Sequence, residues 1–220
     1  MLNKILPFFL FIWISLVIIG AFLFAPLAEG LGELTRVLYF HVPTAWVTVL
    51  AFLTGAVFSV LYLKTKNIKY DFYAESASQL GFVFCILTTV TGSIWAKMSW
   101  GSFWNWDPRE TSVFILLLIY AAYFALRSAV EQEDKKAALS AAYSILAFAT
   151  VPFFVFIVPR VYTSLHPDPL VNPEGKIHMD AKMLTVFLSS LTGFTVLFIW
   201  MIRIKMNLAL IQLKLKEMEN

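Results

Sequence analysis

Six separate stretches of this 220-residue chain are each about as long and as apolar as a lipid bilayer is thick, and that fixes the class of fold before any single residue is considered. A helix needs roughly 20 apolar residues to cross a hydrocarbon core of about 30 Å, because inside lipid every backbone N–H and C=O must be satisfied within the segment. The runs fall at about 5–24, 41–63, 79–96, 111–126, 137–158 and 183–202. Apolar side chains make up 60% of the chain and charged ones only 14%, with a mean hydropathy of +0.76, outside the range of soluble domains. The expectation is an all-α integral membrane protein, one polytopic domain over residues 1–220 with six transmembrane helices. The first run follows Lys4 as the core of a signal peptide would, but its length and the polytopic chain behind it predict a retained helix.

Local signals place the helix ends. Pro43 suits the first turn of a helix, where its missing N–H has no partner to lose, so the second helix is predicted to begin near His41 to Thr44, with His41 at its mouth. The third run carries Thr88, Thr89, Thr91, Gly92 and Ser93, which let helices approach closely and are read as packing residues. Asp107, Pro108 and Glu110 form a helix start: an N-cap acceptor, a proline at the first helical position and an acid in the first turn. Pro152 predicts a kink in the fifth helix. Lys64–Ser78 and Arg127–Lys136 read as polar connections, 159–182 as a long outer loop and 203–220 as an amphipathic tail.

Charge sets the predicted orientation. If the N-terminus is cytoplasmic, eleven of the seventeen Lys and Arg residues lie on that side, which predicts both termini cytoplasmic. His41, the tryptophan-rich segment 97–110, His166 and His178 then all belong to the outer face. The net charge of +3 forms no basic arm, so membrane lipid is an expected partner and nucleic acid is not.

Three of the seven tryptophans, Trp100, Trp104 and Trp106, fall within one short segment with Phe103, next to the charges of Asp107, Arg109 and Glu110. Belts of interfacial tryptophan are common anchors, but a belt spreads its aromatics over several helices, whereas these share one loop. Such a surface suits a large, flat, apolar ligand carrying charged groups. Neutral imidazoles are axial ligands of haem iron, aromatic faces cover a porphyrin, and guanidinium groups such as those of Arg36 and Arg109 match propionates. Each residue also has a plainer role: His41 as a helix-mouth residue bonded to a carbonyl, His166 as an ordinary loop residue. His178 is read as solvated, with an adventitious metal site alongside His166 and Asp168 as its alternative.

Absences narrow the function further. The sequence contains no Gly-x-x-x-x-Gly-Lys-Ser/Thr phosphate loop, so it is not an ATPase on its own, and its apolar runs hold almost no ionisable residues to serve an ion pathway. The single cysteine, Cys85, allows no intrachain disulfide, and no Cys-x-x-Cys-His haem-attachment sequence occurs.

The segment Trp-Gly-Ser-Phe-Trp-Asn-Trp-Asp ending at Asp107 resembles the tryptophan-rich signature of the haem-handling membrane proteins of cytochrome c biogenesis. Tyr39 to Trp46, with His41, and Thr163 to His166 resemble the two histidine motifs of the CcmC, or haem exporter protein C, type. The resemblance implies that His41 and His166 are axial ligands of a non-covalent haem b and that Trp100, Trp104, Trp106 and Asp107 present it. It implies residence in the bacterial inner membrane, haem transfer rather than enzymatic turnover, and delivery to a haem chaperone of the CcmE type. An ABC-type ATPase with its membrane subunits and a small helper membrane protein are the other implied partners. Asp107 to Thr111 looks more like the CcsA branch, in which a cytochrome c haem lyase subunit attaches haem directly. A structural or transport subunit that binds no haem is a further alternative.

Overall fold

The structure, a computed structural model, describes residues 2–166 and 179–219. His178 and Asp168, and with them the alternative metal site, lie outside the described residues. No strand occurs among the described residues, and six helices are long and apolar enough to cross a membrane. Helix α1 spans Leu2–Ile19 and runs on through a π-helical turn, Gly20–Phe24. Helices α2, Thr35–Thr65, and α3, Ile68–Trp100, form a hairpin, and α4, Pro108–Ala129, and α5, Glu133–Pro152, form a second. The chain continues from α5 through π-helical Phe153–Ile157 into the short α6, Val158–Val161. Helix α7, Ala181–Glu219, closes the order.

The antiparallel α2–α3 pair is the spine. A Cβ on Gly81 would lie 2.5 Å from the Phe52 ring, so only glycine allows these helices to approach as they do. Phe52 in turn stacks on Tyr120 of α4, with centroids 3.4 Å apart. On one side Phe52, Cys85, Leu116, Tyr120, Ala147 and Val151 join the spine to α4 and α5. On the other, Val47, Ala51, Leu80, Phe84, Phe198 and Ile202 join it to α7. Helix α1 packs on α7, where Trp13 donates its indole N–H to the Ser189 hydroxyl at 3.1 Å.

Three features differ from the sequence expectation. Helix α2 begins at Thr35, so Pro43 lies inside the helix and His41 is not at its mouth. Proline removes the N–H that would have bonded the Tyr39 carbonyl, and the Ser190 hydroxyl of α7 donates to that carbonyl instead. Second, α3 begins at Ile68, so most of the expected polar connection is helical. Asn67 caps it by accepting the Lys69 N–H at 3.1 Å. Third, Pro152 is followed by a π-helical turn, a recognised outcome of a broken i→i−4 ladder. Helices α2, α3 and α7 hold 31, 33 and 39 residues, about 46, 50 and 58 Å at 1.5 Å each, so their ends pass beyond a core of about 30 Å.

The polar start of α3 has a specific answer from its neighbours. Asp71, Glu75 and Gln79 lie four residues apart on one face. Arg127 of α4 meets Asp71 with two bonds of 2.7 and 2.9 Å and Glu75 with a third of 2.9 Å, while Lys205 of α7 reaches Gln79. Asp71 and Arg127 are both buried. Arg127→Met would leave the Asp71 charge without its partner and is expected to lower stability by about 3–5 kcal/mol. Adding Asp71→Asn should recover most of that loss, as read from the unfolding midpoint in detergent.

Candidate functional site

The end of the bundle away from this cluster gathers the expected site residues. Helix α3 ends at Trp100, where Gly101 takes a φ of +83° and its N–H returns to the Lys97 carbonyl at 3.1 Å. The chain then loops to Asp107, which caps α4. The Asp107 side chain accepts the Arg109 N–H at 2.9 Å, and the Glu110 carboxylate reaches back to the N–H groups of Asn105, at 2.8 Å, and Asp107, at 3.4 Å. Trp106, immediately before the cap, takes a φ of +55°, which strains an L-residue by about 1 kcal/mol or more.

Asp107 does more than cap. It is buried, and its Oδ2 accepts the Ser164 hydroxyl at 2.8 Å and the Leu165 N–H at 2.7 Å, pinning the segment after α6 against the start of α4. Its Oδ1 lies 2.8 Å from Nδ1 of His166. Burial raises the Asp107 pKa, but the N–H donors of Arg109 and Leu165 and the Ser164 hydroxyl outweigh it and hold the carboxyl below its ordinary range. Burial lowers the pKa of His166; Asp107 opposes this and Arg109 adds to it, and the net direction is down. Because Nδ1 faces a carboxylate oxygen, it carries the proton and donates, and the neutral ring in this tautomer keeps its lone pair on Nε2.

His41 reaches the same state by another route. It stands well inside α2, half-buried, with Nδ1 2.9 Å from the Thr91 hydroxyl oxygen. The Thr91 proton is already donated to the Leu87 carbonyl at 2.7 Å, so the hydroxyl accepts from His41 and again Nε2 keeps its lone pair. The ring lies over Gly92, where a Cβ would sit 3.0 Å from its Cε1.

The two imidazoles therefore rest on successive turns of α3. His41 lies at Thr91 and Gly92, whereas His166 stacks on Trp95, with centroids 5.7 Å apart, and meets the edge of Trp100 at 4.8 Å. Positions 91 and 95 are about 6 Å apart along the helix axis. A cavity of about 340 Å³ opens on the two tryptophans that His166 touches, lined by Leu31, Leu34, Trp95, Met98, Ser99, Trp100 and Leu165.

The structure divides the other expected residues. Trp104 packs edge-on with Trp106 and with Phe114 of α4, and Trp106 and Phe103 are exposed. Arg36 is paired with Glu33 at 2.7 Å and donates to the Ala21 carbonyl, while Arg109 stands in the first turn of α4, two residues after the carboxylate that holds His166. Asp107 is turned inward as the holder of His166 rather than outward beside the tryptophans. Sequence reading missed the roles of Thr91, Gly92, Trp95 and Ser164. The four-residue spacing of Thr91 and Trp95, one helical turn on one face, was the available signal.

Fold and site together define a multi-pass helical membrane protein with two imidazoles on successive turns of one helix, one of them packed on two tryptophans that line a cleft. The chain belongs to the heme exporter protein C (CcmC) family, whose pattern it matches over residues 1–220. It is 29% identical to a protein named Heme exporter protein C from Bradyrhizobium diazoefficiens over 198 residues, 89% of this chain and 75% of the other. A protein of the same name from Rhodobacter capsulatus is 28% identical over 204 residues, 92% of this chain and 84% of the other. Cytochrome c biogenesis protein CcsA from Cuscuta reflexa is 34% identical over 110 residues, 50% of this chain and 35% of the other. The role is thus haem handling in cytochrome c biogenesis, in a family named for export rather than for a chemical conversion.

Asp107→Ala removes both the cap of α4 and the acceptor that holds Leu165. The amides of Arg109 and Leu165 are expected to exchange hydrogen faster by at least tenfold, equivalent to the ~1.4 kcal/mol typical of a lost cap, in a mass-spectrometric exchange measurement.

Proposed function

We propose that this protein holds a non-covalent haem b at the outer face of the bacterial cytoplasmic membrane and hands it to a haem chaperone of the CcmE type for cytochrome c maturation. The observation that carries the reading is the shared tautomer: both histidines are bonded through Nδ1 and offer the Nε2 lone pair, the form in which imidazole ligates iron. His41 and His166 are the axial ligands in this reading, and Trp95 and Trp100 wall the side of the ring. Haem is cargo here; the iron supplies the coordination sites, and the chain supplies fixed donors, an aromatic wall and the Arg109 charge for a propionate. The single cysteine is buried against α4, which suits a non-covalent hold.

The unequal distribution of Lys and Arg between alternate connections supports cytoplasmic termini and, with them, a site on the outer side. Phe103, Trp104 and Trp106, two of them exposed and the third packed on Phe114 of α4, are assigned to contact with the chaperone. An ABC-type ATPase with its membrane subunits and a small helper membrane protein complete the proposed system.

The test is the absorption spectrum of protein purified from haem-replete cells. Wild type should show a haem Soret band with low-spin ferrous bands. His41→Ala or His166→Ala should each lose more haem than the ~10–100-fold affinity loss usual for outer-shell changes. A wild type without haem, even after haem addition, would overturn the reading. Gly92→Ala gives a subtler check. Alanine favours the helix by about 1 kcal/mol, so the protein should accumulate normally, while the displaced His41 ring lowers the haem retained per chain.

A further inference from the structure

The two histidines are the same tautomer, but their supports differ. His166 donates to a carboxylate at 2.8 Å, and that carboxylate is itself fixed by the Ser164 hydroxyl and by the N–H groups of Arg109 and Leu165. His41 donates to a neutral hydroxyl at 2.9 Å whose own proton goes to a backbone carbonyl. A carboxylate behind an imidazole raises the basicity of its far nitrogen by favouring imidazolate character, and a hydroxyl does so far less. Aromatic contacts add to the difference, because His166 is held between Trp95 and Trp100, whereas His41 has the bare backbone of Gly92 beneath it.

We propose that the two ligands are unequal by construction: Asp107 makes His166 the retained ligand, and His41 is the one that gives way when haem is passed on. This rests on the haem-ligand reading above and names the order in which that site releases its cargo. The step is a ligand exchange. His41 withdraws, both electrons of its bond to iron returning to Nε2, and a lone pair from the acceptor protein's donor atom forms the replacement bond. No proton or redox equivalent moves. Asp107 acts through His166 and is a positioning residue.

The experiment is resonance Raman spectroscopy of the full-length chain reconstituted with excess haem and then reduced, so that the weakened variants are also occupied; an iron–histidine stretch reports the ligand that remains. His41→Ala reports His166, and its stretch should lie higher than that of His166→Ala, which reports His41. Asp107→Asn keeps an acceptor oxygen and a good helix cap, so the fold is retained. Placed in the His41→Ala background it should move the stretch down towards the His166→Ala value. In the otherwise native chain it should speed haem loss to excess apomyoglobin by about tenfold or more. Equal stretches in the two histidine variants, or one that Asp107→Asn does not move, would overturn the inference and leave the haem site standing. A wild-type chain with no Soret band would overturn both.

Discussion

One carboxylate holds the histidine end of this protein together. Removing a carboxylate from water costs several kcal/mol unless donors replace the solvent. Asp107 recovers that cost with the Arg109 and Leu165 amides, the Ser164 hydroxyl and the His166 ring. Those donors come from the first turn of α4 and from the segment after α6, so satisfying one side chain joins two elements far apart in sequence. The N-terminal dipole of α4 adds favourable charge on the same atoms. A left-handed Trp106 is the local cost of delivering the carboxylate to this point, and it is tolerated because the cap over-determines the backbone there.

The same economy explains why the α2–α3 spine can carry a polar site at one end and a charged cluster at the other. At the histidine end, Thr91 both closes its own helix and receives His41. At the opposite end, Asp71 and Glu75 are answered by a single guanidinium whose fork fits a carboxylate with two bonds. Between them the packing is apolar and close, set by Gly81 under Phe52. The spine is thus rigid in the middle and polar at its two ends.

What could be read from sequence follows the range of the interactions involved. The six apolar runs were visible because bilayer thickness demands them, and the start of α4 because its cap chemistry lies within four residues. The start of α2 was not visible. A proline inside that helix is tolerated only because Ser190, 151 residues away, covers the carbonyl it orphans. The polar opening of α3 looked like a connection because its partners, Arg127 and Lys205, come from other helices. At the site, His41, His166 and Trp100 were singled out by residue type, and the structure packs His166 against Trp100 and bonds His41 to the same helix. Thr91 was read as packing because hydroxyl residues in a membrane helix ordinarily serve it, and Trp95 took no role because it lies inside the third apolar run, ahead of the tryptophan-rich loop.

That distinction of range also bears on the resemblance of Asp107 to Thr111 to the CcsA branch. In this structure Asp107, Pro108 and Glu110 form a capping box with a proline at the first helical position. A capping box is demanded by any helix that must begin sharply after a loop, and the His166 bond is demanded by any site that fixes a ligating imidazole. Neither need depends on what becomes of the haem afterwards. A lyase and an exporter that share a paired-imidazole site would both keep this sequence, so local likeness here describes how the site is built and not where its cargo goes. The whole-chain match to the exporter family separates the two, together with the half-chain extent of the likeness to CcsA. The downstream partner is then to be sought in the surfaces that the shared site leaves unused, of which the exposed aromatics Phe103, Trp106 and Tyr162 are the nearest in sequence.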